Sequence, residues 1–131
     1  MTLKNNKIEP PSVYLGAKLA SKVIDGIQRW TISSNKYVEA AVSNVEDLIK
    51  RKPKYKVDRN QKTPMVENYI PELDGTQELD TDEVTWFQEL IGVLRWATEV
   101  GRADILYEVL VLSQYQASAR EGHLGQVVTI F

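Results

Sequence analysis

The chain contains no cysteine, which excludes disulfides and thiolate metal sites from its 131 residues. Its one histidine, His123, cannot form a histidine metal cluster by itself. No apolar run reaches the roughly 18 residues that a membrane-spanning helix needs. Residues 1–12 lack the apolar core of a signal peptide. These absences predict an intracellular, cytoplasmic protein that contacts no membrane.

The composition is that of one modest folded domain, because 43% of the residues are hydrophobic. The net charge of −2 hides a division along the chain. Residues 1–62 carry 13 Lys and Arg against 6 Asp and Glu, a balance of +7, whereas residues 63–131 carry 3 against 12, a balance of −9. This asymmetry favours contact with an anion or nucleic acid through the first half. Two halves that attract each other would explain it equally well.

The N-terminal part predicts a β-hairpin. Apolar residues occupy every second position of its first strand: Val13, Leu15, Ala17 and Leu19. Asp25-Gly26 is typical of a two-residue type I′ turn, and Gln28 to Ile32 return as the second strand. Gly16 indicates either a bulge or a close approach by a partner. Trp30 is expected in the core.

A helix is predicted over residues 35–51, with apolar side chains at helical spacing. Ser33 and Ser34 offer an N-cap, and Pro53 stops the helix. Residues 53–80 show no clear period and are expected to form a long surface loop.

The stretch EVTWFQELIGVLRWATEV, residues 83–100, predicts the helix around which the chain is organised. One side forms an apolar stripe of Trp86, Phe87, Leu90, Ile91, Leu94 and Ala97. The opposite side carries a row at i, i+4 and i+8, Gln88, Gly92 and Trp96, which we name the α2 row. A helical glycine costs about 1 kcal/mol relative to alanine, so Gly92 indicates a close approach. Either another helix of the chain or an external partner would make that approach.

Capping signals delimit the remaining helices. Asp80 and Glu83 have the spacing of a capping box for the organising helix. A second helix is predicted over 103–117, and Ser118 to Glu121 predict the start of a third, on whose surface His123 would lie without a catalytic role. The predicted fold is α+β and mainly helical, with one β-hairpin followed by about four helices and a long central loop. An end at Phe131 in mid-helix suggests a fragment.

Several stretches resemble the Pol polyprotein of copia-type LTR retrotransposons. They are YLGAKL, RWTISSNKYVEAAVSNVEDL, YIPELDGTQEL, FQELIGVLRWATEVGRADILYEV and AREGHLGQVVTIF. The resemblance covers about residues 10–131 and concerns the C-terminal part of the reverse transcriptase region. It implies a fragment of a polymerase palm and thumb. Residues 1–33 would end the palm with a primer-grip-like hairpin, and residues 34–131, with the loop 53–80, would form a thumb-like helical region.

The resemblance also implies nucleic-acid-binding residues. The hairpin segment Tyr14, Leu15 and Gly16 is similar to the primer grip that holds the primer 3′ end. The α2 row is similar to the thumb helix that follows the minor groove of template–primer. A hybrid duplex has a wide, shallow minor groove, which suits a helix face with small side chains. The implied partners are an RNA–DNA or DNA duplex and the remainder of the reverse transcriptase, including palm and ribonuclease H.

The intact polymerase of this family is an RNA-directed DNA polymerase that uses paired aspartates and a divalent metal such as Mg²⁺. This chain has no adjacent aspartate pair, so the expectation is no catalysis and no cofactor in this chain alone. Phosphate contacts are expected from the basic half, especially from Lys18, Lys22, Lys50 to Lys52 and residues 54–62. Two other functions stay open: a non-functional retroelement remnant, and a stand-alone helical module that binds protein through the Trp96 face.

Overall fold

A computed structural model describes residues 10–14, 16–58 and 60–131. In this part of the chain a three-stranded antiparallel sheet is followed by four α-helices, which confirms the α+β class. The elements are β1 (Val13–Tyr14), β2 (Ala17–Ile24), β3 (Ile27–Ser33), α1 (Asn35–Arg51), α2 (Thr81–Glu99), α3 (Leu106–Ser113) and α4 (Glu121–Ile130). Among these described helices, none has the length and apolar character needed to cross a bilayer.

The sheet has the order β1-β2-β3 and contains one strand more than predicted. The predicted turn at Asp25-Gly26 is confirmed, because both residues have positive φ, 53° and 76°. The first predicted strand is interrupted at Gly16, whose φ of 83° lies in the left-handed region. The chain therefore reverses direction there, and Tyr14 pairs with Ala17.

The sheet contacts the helices near the start of β2. Ala17 is fully buried, whereas most of β2 and all of β3 except Ser33 are exposed. The prediction that Trp30 belongs to the core is wrong, since 51% of it is exposed. The prediction that Trp30 and Ile32 share one face of the hairpin is confirmed by the register, but only the end of that face near Ala17 is buried.

Helix α1 has the predicted bounds and buries one face through Ala41, Val45 and Leu48. Ser34 is its N-cap residue, although the Ser34 side chain makes no capping hydrogen bond. Among the described residues between α1 and α2, regular structure is limited to a 3₁₀ turn at Pro71–Leu73 and an isolated β-bridge from Glu78 to Arg120, as predicted for the loop 53–80. Tyr55 nevertheless enters the core from this loop.

Helix α2 begins with the predicted capping box. The Asp80 carboxylate accepts a hydrogen bond from the Glu83 N–H at 2.8 Å, and the Glu83 carboxylate accepts one from the Asp80 N–H at 3.3 Å. The predicted apolar stripe is buried except for Trp86, which is half-buried against the core. Most of the fully buried apolar side chains come from α2, α3 and α4, and Val45 of α1 joins them: Phe87, Ile91, Val109, Leu112, Leu124, Val127 and Val128.

The region after α2 differs from the prediction of one helix over 103–117. It begins as a 3₁₀ turn at Ala103–Ile105, and α3 ends at Ser113. The Ser113 hydroxyl donates to the Leu110 carbonyl at 2.8 Å, a local contact that competes with continuation of the helix. Residues 114–117 form turns instead.

Helix α4 begins later than the predicted capping box at Ser118 to Glu121. Its N-cap residue is Arg120, and Nδ1 of His123 accepts the Arg120 N–H at 3.0 Å. The prediction that His123 lies on the helix surface is wrong, because only 2% of it is exposed. The ring is buried because it lies against the loop that precedes α2, where its Nε2 is 3.0 Å from the Pro71 carbonyl.

Candidate nucleic-acid interface

The α2 row forms a strip along one side of α2, and its three residues differ in exposure. Gln88 and Gly92 are exposed, and Trp96 is half-buried. Since the three residues are four apart, they lie one above another along the helix axis. The buried stripe that begins at Phe87 anchors α2 in the core and holds the strip in place.

Gly92 has no neighbour that requires a glycine. A Cβ added to Gly92 would meet no atom within 4 Å from elsewhere in the described part of the chain. Gly92 instead lines an open groove of about 400 Å³ between α2 and α1, to which Tyr37, Ala41 and Asn44 contribute. The alternative in which another helix of this chain packs closely on Gly92 therefore finds no such helix in the described residues.

Trp96 joins three elements. Its ring packs on Tyr37 of α1, with ring centroids 4.0 Å apart and planes tilted by 39°. A Cβ built on Gly16 would lie 3.9 Å from Cζ2 of Trp96. The structure thus brings a predicted hairpin residue next to a predicted helix residue, although they are 80 positions apart in the sequence.

Of the two other hairpin residues in the prediction, the structure describes Tyr14 only. Tyr14 lies on β1 and is 63% exposed. Leu15 lies outside the described residues. Of the three primer-grip-like residues, the structure places Gly16 against the α2 row and leaves Tyr14 on the surface of the sheet.

Gln88 is engaged within the chain. Its side-chain Nε2 donates to the backbone carbonyl of Gln116 at 3.1 Å, which links α2 to the turn after α3. Glu89, next to Gln88, is exposed and lines the same groove as Gly92. A negative charge at this position disfavours phosphate in the groove itself, so contacts there would be made to sugar and base edges.

The lysines after α1 are paired with carboxylates of this chain. Nζ of Lys52 lies 2.9 Å from Oε1 of Glu83, and Nζ of Lys54 lies 2.8 Å from the same atom. Lys54 also pairs with Glu121 at 2.5 Å, and Lys52 with Asp80 at 3.2 Å. We name these five residues the ion-pair cluster. Two lysines of the predicted phosphate-binding region, Lys52 and Lys54, are therefore paired within the chain. Lys50, from the same region, pairs with Asp47.

The ion-pair cluster shifts the pKa values of its members. Hydrogen bonds to Glu83 raise the pKa of Lys52, and those to Glu121 and Glu83 raise the pKa of Lys54. Burial alone would raise the pKa of Glu83, but hydrogen bonds from Lys54 and Lys52 outweigh it and leave that pKa below its ordinary value. Burial raises the pKa of the adjacent Tyr55 to about 12. The cluster is charged at neutral pH and ties the end of α1 to the starts of α2 and α4.

A second polar cluster surrounds His123, and the sequence analysis missed it. Nε2 of His123 lies 3.0 Å from the Pro71 carbonyl, and Tyr115 stacks on the ring with centroids 4.3 Å apart. Tyr69 meets the ring edge and donates a hydrogen bond to the Asp74 carboxylate. Because Nδ1 is an acceptor, the proton lies on Nε2, which donates to Pro71. These contacts are structural, and the only local signal for them was the position of His123 three residues after the N-cap.

Comparison with protein-family models, with curated proteins and with solved structures finds no match to this chain. The resemblance to copia-type Pol therefore rests on the motifs quoted above. The α2 row and its surroundings are the structural features that bear on function.

Proposed function

We propose that this chain is the primer-grip and thumb portion of a copia-type reverse transcriptase and that it holds a template–primer duplex through the α2 row. It would bind duplex without selecting its sequence. Catalysis is not part of this proposal, because the chain has no adjacent aspartate pair to hold metal ions. In the intact polymerase, the preceding palm would supply that pair.

The observation that carries the proposal is the empty space beside Gly92. A glycine inside a helix is unfavourable by about 1 kcal/mol relative to alanine, and no contact in the described chain requires it. The presence of glycine at position 92 is explained if a partner outside the chain approaches the helix backbone. The exposed position on an anchored helix gives such a partner a rigid surface.

The neighbouring side chains suit the minor groove of a duplex. Trp96 is held by Tyr37 and offers an apolar surface on which sugars can pack. Gln88 supplies an amide that can hydrogen-bond to sugar or base edges if it exchanges its contact with Gln116. Contacts of this type report the shape of the duplex and carry no sequence information.

The experiment compares the stability and the duplex affinity of a Gly92→Ala variant. We expect the free energy of unfolding to rise by up to about 1 kcal/mol, because alanine is the better helix former. We expect affinity for a fluorescent RNA–DNA hybrid to fall about tenfold, or about 1.4 kcal/mol, since the methyl group intrudes on the contact. A Gly92→Leu, Trp96→Ala variant should lose more affinity.

Gly125→Ala is the matched control, because Gly125 is also in a helix and has no atom within 4 Å of an added Cβ. It should gain similar stability and keep its affinity. Equal affinity of the Gly92→Ala variant and the wild type would overturn the role of the α2 row. Absence of hybrid binding by the folded wild type would instead favour a remnant, a protein-binding module or a part that functions only within the whole enzyme.

A further inference from the structure

The hairpin of β2 and β3 separates its side chains by charge. In this register Lys22 lies directly opposite Arg29, and Lys18 is on the same face because it is four residues from Lys22. We name Lys18, Lys22 and Arg29 the basic face. All three are exposed, and they extend over about 13 Å of strand at roughly 3.3 Å per residue.

The opposite face of the hairpin carries no charged side chain. It carries Leu19, Val23, Trp30 and Ile32 together with Ala17. Ala17 is fully buried, so the sheet packs on the helices through this side, at the start of β2. The basic face consequently points away from the helices and toward solvent.

In the part of the chain that the structure describes, the charge of the basic face is not neutralised. Within residues 10–14, 16–58 and 60–131, no carboxylate lies at ion-pair distance from its three side chains. The one carboxylate of the hairpin, Asp25, lies at the turn. Like charges directly opposite each other in a sheet are destabilising, so the Lys22–Arg29 pair has a cost that an anion would remove.

We propose that the basic face binds the phosphate backbone of the nucleic acid held by this chain. This inference rests on the proposed function. It identifies the residues that would supply the electrostatic contribution to duplex binding. Residues 63–131 carry 3 Lys and Arg against 12 Asp and Glu, so they offer phosphates little positive charge, and the ion-pair cluster engages Lys52 and Lys54. The projecting hairpin therefore offers phosphates three exposed cations that form no ion pair within the described residues.

The test is the salt dependence of hybrid binding by the full chain. Each phosphate contact adds about 0.9 to the slope of log affinity against log salt. A Lys18→Gln, Lys22→Gln, Arg29→Gln variant should lose about 2 to 3 from this slope. It should remain folded, since the substitutions remove a repulsive pair, and circular dichroism and denaturant unfolding would check this.

A competing variant removes the same charge from three other exposed lysines, two of them in the segment 54–62 from which the sequence alone predicted phosphate contacts: Lys36→Gln, Lys56→Gln, Lys62→Gln. We expect this variant to lose less than 1 from the slope. An equal or larger loss in the competing variant would overturn the inference, because binding would then depend on overall charge or on the segment after α1. Tight, charge-dependent binding of polyglutamate to the basic face would also overturn it in favour of a carboxylate partner.

The two proposals fail in different ways. If binding still depends on Gly92 but the hairpin variant keeps the wild-type slope, only the basic face loses its assigned role. If the folded wild type binds no hybrid, the proposal that this chain holds a duplex by itself fails, and the inference fails with it.

Discussion

The carboxylate of Glu83 is 3% exposed, and its Oε1 lies 2.8 Å from Nζ of Lys54. The two residues come from different parts of the chain, the start of α2 and the loop after α1. The same carboxylate also meets Lys52, accepts a hydrogen bond from Tyr55 at 3.3 Å and completes the capping box with Asp80. One buried charge thus organises the junction of three helices.

Glu83→Gln should lower the free energy of unfolding by about 2 kcal/mol at pH 7, because charged hydrogen bonds are lost and two lysines face each other. The pKa of Glu83 is lowered in the folded protein, so its contribution is present above the ordinary value of 4.5 and is lost as the pH falls through the folded value. The difference from wild type should therefore shrink below about pH 4.5.

Denaturant unfolding at a series of pH values measures this difference. Glu89→Gln is the control, because Glu89 is exposed and forms no ion pair within the described residues. It should change stability by less than about 0.5 kcal/mol at every pH. A wild-type advantage over Glu83→Gln that stays constant down to pH 3 would contradict the ion-pair explanation.

Gly122→Ala should destabilise the protein by about 1–3 kcal/mol, because overpacking a fixed site forces the backbone to shift. A Cβ on Gly122 would clash with the carboxylate of Asp74. That carboxylate cannot easily move, since Tyr69 and Thr76 both donate hydrogen bonds to it. Thermal or denaturant unfolding reports the loss, and Gly125→Ala, in the same helix, should show no loss. Equal stability of the two variants would show that the Asp74 carboxylate moves aside without lowering the free energy of unfolding.

His123→Phe should cost about 1–3 kcal/mol while retaining a ring that can stack on Tyr115. The variant leaves the Arg120 N–H and the Pro71 carbonyl without their partners. His123→Asn should recover part of the loss, because its side-chain oxygen can accept the Arg120 N–H as Nδ1 does. Urea unfolding of the three proteins should give the order wild type, Asn, Phe. A Phe variant as stable as wild type would show that the stack, and not the hydrogen bonds, fixes α4.

Local sequence rules predicted the elements that depend on neighbours in the chain. The Asp80–Glu83 capping box, the Asp25-Gly26 turn and the stripe of α1 involve residues only a few positions apart, and all three are confirmed. Two of the errors concern long-range contacts. Burial of His123 depends on Pro71, 52 residues away, and exposure of Trp30 depends on where the helices end relative to the sheet.

The α2 row shows the same difference between features set by neighbours in the chain and features set by long-range contacts. Its alignment on one side of α2 follows from helical spacing, and the structure has it. The contacts of its members could not be predicted, because Gln116, Tyr37 and Gly16 reach the row through tertiary packing. The internal pairing of Lys52 and Lys54 is likewise invisible in a count of charges.

The ion-pair cluster also has a consequence for the order of folding. Lys54 and Glu121 are separated by 67 residues, so the chain must close a long loop before they can meet. The β2–β3 hairpin closes over a two-residue turn and forms from local contacts alone. Because closure of this long loop has the larger entropic cost, we expect the junction of α1, α2 and α4 to form after the hairpin.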